Sequence, residues 1–81
     1  MAVLRALVVD ADQAAERVAL GLIRAAEVLD KSACGYAESA EATDDAADAD
    51  ELRDRAEEYR RSAHRYHKLA AQYRALGDRM R

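Results

Sequence analysis

His64 and His67 stand three residues apart, close enough on a helix to share a face, and such a pair could contribute two ligands to a metal site. A carboxylate-bridged site in a helical bundle also needs a glutamate three residues before its histidine. Arg61 holds that place for His64, and His64 itself holds it for His67, so the pair reads as an outward histidine and a core-edge one. Cys34 is the only cysteine, which excludes an intramolecular disulfide and a multi-cysteine zinc site. With no arginine or histidine flanking it to favour the thiolate, it reads as a small half-buried residue rather than a nucleophile. Asp44 with Asp45 and Glu57 with Glu58 are adjacent acids, whereas catalytic carboxylates need a pocket that separates their pKa values. Neither a glycine-rich phosphate loop nor a Ser-His-Asp spacing occurs. The expectation is a protein that is not an enzyme, with no catalytic residue, metal or cofactor.

These side chains must be carried on helices. The 81 residues include twenty alanines and no Pro, Phe, Trp or Asn, and long charged helix formers separate the apolar positions. Only the opening "VLRALVV" could read as a strand, and it has no second strand to pair with. Interrupted by Arg5 and ended by Asp10, that run is too short for a membrane span or a secretory signal, so a soluble, cytoplasmic protein is expected.

From Asp10, where "DADQ" has the spacing of a capping box, apolar residues recur every seven positions. Ala19, Ala26, Ala33 and Ala40 occupy one core position, and Ala15, Leu22, Leu29 and Tyr36 the other. The second half repeats this with Ala49, Ala56, Ala63, Ala70 and Gly77 beside Leu52, Tyr59, Tyr66, Tyr73 and Met80. The expected fold is all-α: a long antiparallel hairpin with coiled-coil-like Ala/Tyr heptads, comprising an apolar segment 1–9, helix one 10–42, an acidic turn 43–48 and helix two 49–79. A second capping box, Asp48 to Glu51, marks the start of helix two. With the turn near residue 44, Leu29 would meet Tyr59, Leu22 Tyr66 and Tyr36 Leu52, while Ala26 faces Ala63 and Ala33 faces Ala56. No Gly or Pro enforces the turn, so one continuous helix pairing with another chain is the competing arrangement.

Val18, Ala25, Ile23, Leu69 and Leu76 widen the apolar stripe beyond what a single hairpin covers, and this predicts a homodimer forming a four-helix bundle. In that bundle Leu22, Leu29, Tyr36, Leu52, Tyr59, Tyr66 and Tyr73 form the core and dimer stripe. Gly21 and Gly35 fall on the outer face of helix one, at a cost of about 1 kcal/mol each relative to alanine.

Charge divides the chain. Residues 1–58 carry six basic and fifteen acidic side chains, and residues 59–81 seven basic and one acidic. Opposite charges beside a core stripe select pairing and orientation, bringing Arg74 and Arg79 towards Asp10, Asp12 and Glu16. The leading functional expectation is an adaptor, inhibitor or accessory factor that binds another protein. The alternative is nucleic-acid binding by Arg60, Arg61, Arg65, Lys68, Arg74 and Arg79, with Arg81 beyond them. The pI near 5.3 weighs against it.

Overall fold

Both halves of the chain are rich in alanine, leucine, glutamate and arginine and contain no proline, so nothing interrupts the i to i−4 hydrogen bonding of a long helix. A computed structural model, which describes the backbone of residues 2–80 and the side chains of residues 10–79, consists of α1 (Ala2–Ala42) and α2 (Ala46–Met80) packed against each other as a hairpin. Among the described residues there is no strand.

The reversal takes three residues. Thr43 N–H still donates to the Ser39 carbonyl at 3.1 Å, the last bond of the α1 pattern. Asp45 then caps α2, its carboxylate accepting the N–H of Ala47 at 2.9 Å and of Asp48 at 3.2 Å, while the Thr43 hydroxyl accepts the N–H of Asp45 at 3.4 Å. A cap of this kind stabilises a helix by about 1 kcal/mol. Among the described residues no φ is positive, which is why the turn needs no glycine.

Three boundaries differ from those expected, besides an α2 that ends at Met80 where residue 79 was expected. α2 begins at Ala46 rather than residue 49, and its cap is Asp45 rather than Asp48, because capping at the earlier aspartate adds most of a helical turn. The turn accordingly covers 43–45 and not 43–48. α1 starts at Ala2, so Asp10 lies inside the helix and caps nothing; residues 2–9 hold no Gly or Pro, and propagating an existing helix through them is easier than starting one at Asp10. The side chains of residues 1–9, and those of Met80 and Arg81, lie outside the described residues.

Alanine makes the core. Ala15, Ala19, Ala26, Ala33 and Ala40 of α1 and Ala49, Ala56, Ala63 and Ala70 of α2 are all buried, as is Gly77, and no large side chain among the described residues is fully buried. Side chains this small let two helices approach closely, with dispersion contacts along their whole length. At the open end Asp12 takes the place of the next alanine, and a Cβ built on Gly77 would stand 2.8 Å from Asp12 Oδ1 and 3.7 Å from the Ala15 methyl. This alignment puts Ala26 level with Ala63 and Ala33 level with Ala56.

The product is a rod of 67 × 14 × 11 Å. Its radius of gyration, 18.7 Å, far exceeds the roughly 12 Å of a compact chain of this length.

Candidate interaction surface

An antiparallel pair of helices joined along one alanine stripe has two broad sides, and heptad position decides which residues each side receives. On one side, Glu16 and Asp30 of α1 meet α2: Arg74 Nη2 lies 3.4 Å from Glu16 Oε1, and His67 Nε2 lies 3.8 Å from Asp30 Oδ2. This is the charged side. Both contacts are close to half exposed, so each adds little stability and chiefly favours one pairing.

The other side is apolar. Leu22, Leu29 and Tyr36 of α1 and Leu52, Tyr59 and Tyr73 of α2 flank the alanine stripe half-buried, and Tyr66 among them is exposed. Beyond them Val18 is 43% exposed, Val28 63%, Leu69 40% and Leu76 45%. The seven large stripe residues therefore border the hairpin's core rather than forming it, because the alanines hold the helices too close for leucine or tyrosine to enter between them. Val28, at the far edge of this side, escaped the sequence reading; it continues the Ala14, Gly21 and Gly35 row, whose small neighbours hid it. Leu20, 40% exposed, was missed too and lies on the charged side next to Glu16 and Glu27.

Tyr36 and Tyr59 stack with ring centroids 5.3 Å apart and planes 10° from parallel. The expected partner of Tyr36 was Leu52. Side chains lean towards the N-terminus of their own helix, so in an antiparallel pair two rings rooted at different levels converge. Hydrogen bonding with Tyr36 raises the pKa of the Tyr59 phenol above its ordinary value, the charge Tyr36 would carry adds to this, desolvation adds less, and Arg55 opposes. A raised pKa in the folded state means stability that is present below the ordinary phenol value, about 10, and is lost as pH climbs through the raised one. Phenolate absorbance is thus expected to show one late-ionising tyrosine, with helix content falling as it ionises. Tyr36→Phe should return that tyrosine to the ordinary range; an unchanged titration would detach the shift from the stack.

The basic candidates do not form one patch. Arg60 and Arg74 lie towards the charged side, Arg61 and Lys68 point away from α1, and Arg65 and Arg79 border the apolar side. Arg74 is engaged by Glu16, Arg61 stands 3.8 Å from Glu57, and Arg65 donates to the Ser62 hydroxyl at 2.9 Å. Nearer the turn, Arg53 pairs with Asp50 and Arg55 with Glu51. His64 is exposed as expected, and His67, expected at the core edge, is exposed beside Asp30. Cys34 is exposed rather than half-buried, since its heptad position falls on the outer flank of the charged side.

Among the described residues, no group of three or more His, Cys, Asp or Glu is placed to hold a metal ion, and no helix is long and apolar enough to cross a membrane. No protein family matches this chain, and neither does any curated protein or solved structure.

Proposed function

We propose that the chain is a non-enzymatic helical interaction protein that pairs with a second copy through its tyrosine and leucine side, forming a four-helix bundle whose charged outer faces bind another protein. One observation carries this reading: among the described residues every large apolar side chain is left at least partly in water, and most of them lie on a single side. The accessible surface is 6141 Å², against about 4,800 Å² for a folded monomer of this mass. That excess exceeds the roughly 800 Å² per partner of a standard interface.

Absolute molar mass by light scattering, at low and moderate salt, tests the proposal. Twice 8.9 kDa is the expected result. A mass of 8.9 kDa at tens of micromolar would leave the apolar side for a different protein and end the homodimer reading. The seven basic residues of 59–81 support nucleic-acid binding as a second reading, which requires an affinity that falls steeply with salt. Engagement of Arg74 and Arg61 by carboxylates makes it the weaker of the two.

A further inference from the structure

Gly21 and Gly35 have no role in the hairpin. A Cβ built on either meets nothing within 4 Å, whereas one on Gly77 would stand 2.8 Å from the Asp12 carboxylate and turn it aside. Glycine destabilises a helix interior relative to alanine, so two unneeded glycines on the outer flank of the apolar side are a cost the isolated hairpin does not explain. Between and beside them on α1 run the exposed Ala14, Val18 and Val28 and the half-buried Ala25 and Ser32, most of them small. A helix approaching at short distance would use such a flank.

Charge on α2 says which helix approaches and in which direction. The turn end of the hairpin carries seven acidic and no basic side chains over residues 38–51, while Arg65, Lys68, Arg74 and Arg79 lie towards the open end of α2. Two copies stacked with both turns at one end would bring the acidic segments together, and like charges at that spacing repel. Turning one copy end over end sets each acidic turn near the other copy's basic end and places α1 on α1 and α2 on α2.

We propose that the second copy docks in this end-over-end orientation, with its two-fold axis crossing α1 between Gly21 and Ala25. This rests on the homodimer reading and adds its geometry. With the axis there, Gly21 lies level with the partner's Ala25, and Val18 lies level with the partner's Val28 and Leu29. On α2 the same axis passes near Arg65, so that Leu69 comes level with the partner's Ser62, Leu76 with the aliphatic stem of the partner's Arg55, and Glu51 with the partner's Arg79. The alignment along α1 and the one along α2 follow from the same axis, because the hairpin already fixes Ala26 level with Ala63. Leu22 then lies beside the axis on α1 and Tyr66 beside it on α2, and the small flank of Gly21 and Ala25 lets the two α1 helices approach there.

Two variants test it. Leu22→Cys in a Cys34→Ser background puts a thiol one residue from the axis on the apolar side of α1, within disulfide reach of its own symmetry mate. Under mild oxidation it should form a covalent dimer at least tenfold faster than wild type does through Cys34, which lies on the charged side. Gly21→Leu favours the helix of the isolated chain but blocks the crossing, so its circular dichroism should be unchanged while its dimer dissociation constant rises at least a hundredfold. If wild type is dimeric in reducing buffer and either variant fails these expectations, the end-over-end arrangement is wrong and the homodimer stands. If wild type is monomeric, both readings fall.

Discussion

Ala33→Leu is expected to lower the thermal midpoint by about 15 °C, the largest effect of any single apolar substitution in the chain. Ala33 is 0% exposed and lies in the alanine stripe level with Ala56, itself 1% exposed. A leucine there adds three heavy atoms where two backbones already approach closely. The helices must separate locally, and separation along a rigid rod loosens the flanking contacts of Ala26 and Ala40 as well. Overpacking costs about 1–3 kcal/mol in an ordinary core, and the upper end applies where no neighbour can change rotamer, as among alanines. At about 4–8 °C per kcal/mol for a domain of this size, a loss near 3 kcal/mol gives the stated shift. Thermal unfolding followed by circular dichroism checks it, with Ala71→Leu, at an exposed position of α2, as the control. Equal midpoints for the two variants would mean that the alanine stripe is not the surface that holds the hairpin together.

Val18→Glu combined with Leu69→Glu is expected to raise the dimer dissociation constant at least about a hundredfold, or roughly 2.7 kcal/mol. Both positions are about two-fifths exposed in the single hairpin, so glutamate is tolerated there while the chain is alone. In the proposed bundle each would carry an unpaired carboxylate into an apolar contact, where the lost hydration is not replaced. Leu20→Glu supplies the comparison: Leu20 is as exposed as Leu69 but belongs to the charged side. Molar mass across a dilution series should show dissociation for the double variant and none for Leu20→Glu. The same response from both would remove the apolar side from the interface.

Much of this architecture is legible from spacing alone. Ala19, Ala26 and Ala33 recur every seven residues, as do Ala56, Ala63 and Ala70, and two such stripes with an acidic turn between them specify an antiparallel hairpin. The Arg74 contact with Glu16 follows from the same alignment together with the charge distribution. What the sequence leaves open has local causes. Asp45 and Asp48 both begin an acidic three-residue spacing, and only the fold shows which carboxylate reaches the free N–H groups. Asp10 resembles a cap but lies within a helix that started earlier. Tyr36 finds Tyr59 because both rings lean along their helices, a displacement that heptad matching ignores. The division of labour between alanine and tyrosine is the larger correction. A seven-residue pattern marks both stripes as apolar, and only the close approach of the helices assigns the small residues to the core and the large ones to its border.

Asp12 and Gly77 give the repeating interface an index mark. Every other level of the stripe pairs methyl with methyl, so a hairpin displaced by one heptad would recover nearly all its contacts and become a persistent misfolded competitor. Displaced in one direction, the carboxylate of Asp12 would have to turn away from the methyl of Ala70, and Gly77 would come level with residue 5 instead of Asp12. Displaced in the other, Gly77 would face Ala19 across an unfilled gap, while Asp12 would run off the end of its partner helix. One tooth and one notch, placed at the end farthest from the turn, thus bias a periodic surface towards a single phase.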